Sequence, residues 1–372
     1  MSKTFLAIAT ITGVVIGAGI LGIPYVVMKS GFLLGFINII IVFVISLIAM
    51  LYLGEIGLRT EGRHQLTGYA ERYLGNKGRI VMAITVIFGI YSALLAYLIG
   101  GGKSLSQLVF NSDIYFLPVA IILWVIFAAI CYRGLKAIGD SEEIGMTVVF
   151  VLIISISVYL WNKIDLSNLT YSNMSNALLP FGVVLFAFSG FVSIPIVIRE
   201  LGKDGKYIKN AIIISEIFVF IIYSLFALVV LGAHGSNTPE IATITLGKVF
   251  ILLGTFTMST SYLALSLALQ ETFQFDFKQS RKHAWFYTQI IPLLLIIILS
   301  LIDKAQFILV LSIGGLITGS LEATLVLLMI GKAKKHGDKT PAYSVPYSKI
   351  LIWLFIAMFI TAALFEIIRF FI

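Results

Sequence analysis

The chain has 372 residues, 59% of them apolar and only 12% charged, with 26 Lys and Arg against 18 Asp and Glu. A water-soluble domain carries about 25% charged residues to cover its surface, so this composition excludes an ordinary soluble fold. The net charge of +8 does not mark a nucleic-acid surface, because the basic residues fall in short clusters between long apolar runs, which is the topology signal of a membrane protein.

Eleven apolar runs of about 17 to 25 residues, the length that crosses a bilayer core, can be marked along the sequence. The predicted spans are Phe5 to Met28, Leu33 to Ile56, Ile80 to Gly100, Ile114 to Tyr132, Ile144 to Trp161, Ala177 to Ile198, Ile208 to Leu231, Thr243 to Leu269, Trp285 to Leu301, Gln306 to Ile330 and Ile350 to Phe371. The first opens after only Met1 to Thr4 and continues past a signal-peptide core into Gly and Pro, so it reads as span 1 and not as a cleavable leader. The expected fold class is an all-α polytopic membrane protein, one transmembrane domain over residues 1–372.

Span 1 contains GVVIGAGILGIPY, Gly13 to Tyr25. Its glycines and proline weaken an α-helix, because glycine adds backbone entropy and proline removes a donor. Inside a bilayer the freed groups are tolerated only where protein, water or a ligand satisfies them. An unwound segment at Gly17, Ala18 and Gly19 would offer backbone donors to a carboxylate; the alternative is close helix packing by small residues.

Span 3 closes on AYLIGGGKSL, with Tyr91 and Tyr97 as pocket-lining candidates or as packing residues. In span 6, LFAFSGFVSIP, Leu185 to Pro195, again places a break and a proline mid-membrane, five spans after the first. Two interrupted helices at corresponding positions of two halves point to a transporter binding site at the midplane. Five is odd, so the second half is inverted: residues 5–161 and 177–330 form a 5+5 inverted repeat, with 350–371 peripheral.

In span 8, Thr257, Thr260 and Ser261 stand at i, i+3 and i+4, so their oxygens share a face and can join carbonyls of span 1 around a sodium ion, or bond back to their own helix. Span 10 carries SIGGLITGS, Ser312 to Ser320, a flexible gate or a packing surface. Of the ionisable residues at membrane depth, Glu55, Glu216 and Glu366 lie close enough to predicted ends for pairing or snorkelling. Glu322 sits deeper and is the preferred proton-binding candidate.

Twenty Lys and Arg lie on one side of the eleven spans and six on the other, which puts the N-terminus in the cytoplasm and the C-terminus outside, most simply in the cell membrane. The single cysteine, Cys131, supplies no CxxC or Cys/His metal pattern, and no cofactor is expected beyond sodium as a coupling ion.

GAGILGIPY in span 1, HQLTGYAERYLGNKGR before span 3, AYLIGGG, FAFSGFVSIP in span 6 and STSYLALSL in span 8 together resemble the amino acid/auxin permease branch of the amino acid, polyamine and organocation transporters, including tyrosine and tryptophan permeases. The resemblance implies the leucine-transporter fold. It places the substrate carboxylate at the backbone of Gly17, Ala18 and Gly19, and its ammonium at the carbonyls of Phe186, Ala187 and Ser189. It also places a cation between the carbonyls of Gly13, Ile16 and Thr257 and the hydroxyls of Thr260 and Ser261. The lysine that some proton-coupled relatives place in their fifth span is absent from 144–161.

The function expected is amino acid transport by alternating access, coupled to sodium or protons. The rival is a membrane amino acid receptor on the same fold. A membrane enzyme would want a nucleophile with a base, or a metal cluster, and the sequence shows neither. The expected partners are an amino acid and the lipid bilayer, with no nucleic acid; which amino acid, and the oligomeric state, are not encoded in any one motif.

Overall fold

The computed structural model describes residues 3–133, 141–201 and 205–371, which leaves Lys136 and Lys203 of the basic-side count outside the described residues. A chain in hydrocarbon satisfies its backbone internally, and this one does so with helices: no strand occurs among the described residues. They are α1 (Lys3–Val15), α2 (Ile23–Ser30), α3 (Phe32–Arg59), α4 (Leu66–Phe110), α5 (Phe116–Arg133), α6 (Ser141–Leu160), α7 (Leu179–Ala187), α8 (Ser193–Leu201), α9 (Ile208–His234), α10 (Lys248–Glu271), α11 (Arg281–Leu301), α12 (Phe307–Gly314), α13 (Ser320–His336) and α14 (Lys349–Phe371). Among the described residues eight helical stretches are long and apolar enough to cross a bilayer, and α1 with α2, bent by 48° at their junction, makes a ninth when the pair is counted as one span. The runs 144–161 and 177–198 fall on shorter pieces: the apolar stretch Thr147–Lys163, and α7 and α8 with a gap at 188–192.

The helices pack as two groups. In one, α9 runs along α1, α2 and α3, with α7 and α8 against α3; in the other, α4 packs with α5, α10 and α11. The α12–α13 pair bridges them, touching α4 on one side and α3 and α7 on the other. Where the groups face each other lies the site.

Helix α4 outruns the predicted span at both ends. A short first piece joins at Gly75, whose φ of 76° favours glycine, and the helix then continues past Gly100 to Phe110. The GGG run does not stop it, because those glycines make room for neighbours. A Cβ at Gly100 would stand 2.7 Å from Met258 Sδ, and one at Gly102 2.8 Å from the Phe116 carbonyl.

Ionic contacts fasten the basic-rich end. The fully buried Glu55 accepts from Arg59 at 2.9 Å, Lys334 at 2.7 Å, Ser344 Oγ at 3.0 Å and the Val345 amide at 2.7 Å, the structural pairing its position suggested. These bonds draw segment 337–348 across the end of α3. In that segment Asp338 accepts from the Glu61 amide and the Arg72 guanidinium, and these two donors hold its carboxyl below the usual carboxylate range.

Candidate functional site between two broken helices

A cavity of about 690 Å³ lies between the two helix groups. Gly13, Ile16, Gly17, Gly19, Tyr97, Phe186, Ala187, Ser189, Thr260, Ser261 and Glu322, marked from sequence on five separate runs, all line it. Ala18 and Thr257 do not, and Tyr91 is used elsewhere, its hydroxyl donating to the Tyr287 carbonyl at 3.1 Å.

The first break follows from where one amide turns. Gly17 N–H bonds the Val15 carbonyl at 3.0 Å, so it no longer reaches Gly13, and α1 ends. The carbonyls of Gly13, Val14 and Ile16 are left without a donor among the described residues. A 3-10 turn, Ala18–Gly22, follows, and the amides of Ala18 and Gly19 have no acceptor among the described residues either. Gly17 is extended, with φ −108° and ψ −167°, which any residue adopts; its glycine serves space. A Cβ there would meet only the Tyr97 hydroxyl, at 3.6 Å, whereas one at Gly19 would press on Phe186 Cδ1 at 3.1 Å. The second contact shows that the two breaks face each other.

The second break is held differently. Pro195 stands in the first turn of α8, where a missing N–H removes no helical bond. The Ser189 amide bonds the Phe186 carbonyl at 3.1 Å and its hydroxyl the Leu185 carbonyl at 2.9 Å, while the amide and hydroxyl of Ser193 both reach the Gly190 carbonyl. Of the three carbonyls assigned to an ammonium, those of Phe186 and Ala187 already accept, and that of Ser189 has no donor among the described residues. A carbonyl keeps a second lone pair, so the first two are not closed to a ligand.

Tyr223 of α9 joins the breaks. Its hydroxyl lies 3.0 Å from the Val15 carbonyl and 2.8 Å from that of Ala187, so one O–H is shared between the unwound ends of α1 and α7. Nothing local in the sequence marks this tyrosine within an apolar run. The signal is purely tertiary.

On the α10 side, Thr260 Oγ1 donates to the Thr257 carbonyl at 3.0 Å and Thr257 Oγ1 to the Gly254 carbonyl at 2.8 Å, so both hydroxyls bond back to their own helix. The Thr260 hydroxyl oxygen keeps a lone pair, as do the carbonyls of Gly13 and Ile16 that line the cavity with it, whereas Thr257, whose carbonyl the resemblance assigned to a cation, stands outside the cavity and that carbonyl already accepts from Thr260. Among the described residues no cluster of three or more His, Cys, Asp or Glu side chains could hold a metal ion. SIGGLITGS is a packing surface, with a π turn at Gly315–Gly319: a Cβ at Gly315 would stand 2.6 Å from the Phe186 amide, and one at Gly319 2.7 Å from Leu185 Cγ. Thr318 and Glu322, one turn apart, project from it into the cavity.

The cavity is asymmetric along its axis. Toward the end that carries the basic loops it reaches Gln65, Ala268 and Glu271, all three exposed. Past Gly19 no residue of α2 lines it, nor does any described residue between α9 and α10. There the segment between α9 and α10 is tied to three neighbours: Lys103 of α4 binds Glu240 Oε2 at 2.6 Å, Glu240 Oε1 accepts the Ile308 amide of α12 at 2.9 Å, and the Ala242 amide bonds the Leu21 carbonyl at 3.0 Å.

Residues 1–246 match the sequence profile of the tryptophan/tyrosine permease family. The chain is 24% identical to a tyrosine permease of Enterobacter agglomerans over 96% of its own length and 93% of that protein. It is 25% identical to tyrosine-specific transport system 1 of Haemophilus influenzae, covering 92% and 91% of the two chains. To glutamine transporter 2 of Aliivibrio fischeri it is 22% identical, over 90% of each.

Proposed function

The chain belongs to the tryptophan/tyrosine permease family, and from that membership we propose that it is an ion-coupled secondary transporter carrying amino acids by alternating access. It is a transport protein and not an enzyme. The observation that carries the proposal is the pair of broken helices facing each other across one cavity, with unengaged amides on the first and an unengaged carbonyl on the second. An amino acid offers the complement. Its carboxylate accepts from Ala18 and Gly19 N–H, its ammonium donates to Ser189 and to the second lone pairs of Phe186 and Ala187, and Tyr97 closes the space beside Gly17.

Among the described residues no Lys or Arg lines the cavity to receive an acidic side chain, and Val86, Ile87, Ile90 and Ala93 form an apolar wall, which suits a zwitterion whose side chain carries no negative charge. The named relatives carry tyrosine and glutamine, both of that class.

We read α1–α2 as span 1 and α7–α8 as span 6 of eleven, with spans 1–5 and 6–10 an inverted repeat and α14 outside it. The Lys and Arg bias puts the N-terminus and the open mouth of the cavity in the cytoplasm, so the state described is inward-facing. Opening outward then requires the Lys103–Glu240–Ile308 join to part while the α9 group tilts against the α4 group. Two coupling ions fit: sodium, among the carbonyls of Gly13 and Ile16 and the hydroxyls of Thr260 and Ser261, or a proton at Glu322.

One assay tests the proposal. Uptake of labelled amino acids into proteoliposomes should respond to one imposed gradient, sodium or proton. Exchange that ignores both gradients would replace coupled transport with facilitated exchange, and binding without any flux would favour a receptor.

A further inference from the structure

We infer that Glu216 of α9 is a proton-binding site of the transport cycle, linked to the second helix break through Ser46; the inference rests on the transporter reading above. Three of the buried carboxyls make a graded series. Glu55 has four donors, and Glu322 opens on the cavity. Glu216 is fully buried, and both its oxygens lack a hydrogen-bond partner. It stands eight residues into α9, about 12 Å from the helix start, so the snorkelling that its sequence position suggested does not reach water.

A bare carboxylate at such a position is costly unless a cation accompanies it. Among the described residues the elements packed against α9 bring none to its level, and Lys163, in the turn after α6, lies over the Tyr159 ring. Lys29 of α2 lies at the far end over the Tyr25 ring. Lys3 of α1, Arg199 and Glu200 of α8, and Glu55 with Arg59 of α3 stand toward the basic end, Glu200 accepting from Thr10 and Arg59 bound to Glu55. On α9 itself Lys209 is seven residues away, about 10 Å, and His234 ends the helix. The described residues of α6 from Thr147 onward add only Tyr159. The particle that balances Glu216 is therefore a proton on a carboxylate oxygen.

The polar side chain facing Glu216 is Ser46 of α3, and its hydroxyl points to the Phe188 carbonyl, 3.4 Å away, at the second break. A serine has one proton to give. While Glu216 is protonated its oxygens stand without a partner and Ser46 is free to donate to Phe188. When α9 moves against α1 and α3 and water reaches Glu216, the proton passes to that water, the carboxylate takes the Ser46 hydroxyl and Phe188 loses its donor. Seven residues further along the same face, Tyr223 already serves the neighbouring Ala187 carbonyl, so α9 addresses the break at two points.

The test uses the full chain in proteoliposomes, with amino acid exchange measured across pH and infrared difference spectra recorded on adding substrate. Glu216→Gln keeps the neutral shape but cannot release a proton. A pH dependence of exchange of about tenfold in wild type should flatten in this variant to about twofold or less. A protonated-carboxyl band should change with substrate in wild type and be missing in the variant. Ser46→Ala should shift the pH profile without abolishing exchange; this variant and the wild-type band decide the matter if Glu216→Gln does not fold. A Glu216→Gln profile identical to wild type, a band indifferent to substrate, or flattening by Glu322→Gln alone would each overturn the inference and leave Glu216 a permanently neutral packing residue. Those results leave the transporter reading standing. Wild-type protein that exchanges no amino acid would remove both.

Discussion

The two breaks meet the same physical problem, unpaired backbone at membrane depth, in opposite ways. At the first, the amides of Ala18 and Gly19 and the carbonyls of Gly13, Val14 and Ile16 are unengaged, and the segment faces the cavity. At the second, Ser189 and Ser193 bond the local carbonyls, and Ser46 and Tyr223 reach in from α3 and α9. A buried polar group without a partner costs about 1–3 kcal/mol, so a fold keeps several together only where water or a ligand completes them. On the reading proposed above a ligand completes the first break, whereas the second is held mostly by the protein's own donors and leaves the Ser189 carbonyl for the ligand. Substitutions at the second should therefore change stability, and those at the first affinity.

Gly190→Val probes that contrast hardest. Its Cβ would run into Val15 and stand 2.8 Å from Met50 Cε of α3, an overpacking worth about 1–3 kcal/mol. Purified Gly190→Val should melt well below wild type, while Gly17→Ala, whose Cβ makes only an ordinary contact with the Tyr97 hydroxyl, should melt with it. Equal destabilisation by the two would erase the distinction.

Next in size is the cation side of the first break. If sodium drives transport, Thr260→Ala with Ser261→Ala should raise the sodium needed for half-maximal uptake about tenfold, equivalent to about 1.4 kcal/mol, with melting in the absence of sodium little changed. Glu322→Gln should then be silent. If protons drive transport the pattern reverses, and an unchanged sodium requirement in the double variant removes Thr260 and Ser261 from the site.

Tyr223→Phe should have the smallest effect. It deletes the one O–H shared by the Val15 and Ala187 carbonyls, for a loss of about 0.5–1.5 kcal/mol in thermal stability with substrate affinity retained. Loss of affinity with unchanged melting would move Tyr223 from the joint to the ligand.

What was legible in the sequence is what acts locally. Apolar run lengths marked the helices, and Gly17, Gly19 and Ser189-Gly190 marked where backbone bonding fails, because glycine and proline weaken a helix wherever they sit. What fills or leaves open the resulting vacancies is set by contacts far away in the chain. Tyr223 lies 208 residues from Val15, and no local pattern announces it. The same holds for Glu216, whose distance from a helix end suggested water that the packing of α1 and α3 excludes. The glycine run at 100–102 misled for a related reason: it looks like a terminus and is a contact surface for α5, α10 and α12. The assignment of Gly13 and Ile16 to a cation came from family resemblance, and the turned amide of Gly17 supplies the physical reason the Gly13 carbonyl is unengaged.

Whether the first break receives a carboxylate can be decided by equilibrium binding to the purified protein. An amino acid should be compared with its decarboxylated amine, on wild type and on Gly17→Val. Gly17 is the better site for this than Gly19, because a side chain at Gly19 also strikes Phe186 and would confuse packing with binding. The amine should bind at least about 100-fold more weakly than the amino acid, about 2.7 kcal/mol, and Gly17→Val should melt like wild type yet bind neither. Equal affinity for the amine, or full amino acid affinity in folded Gly17→Val, would contradict a carboxylate site at Gly17, Ala18 and Gly19.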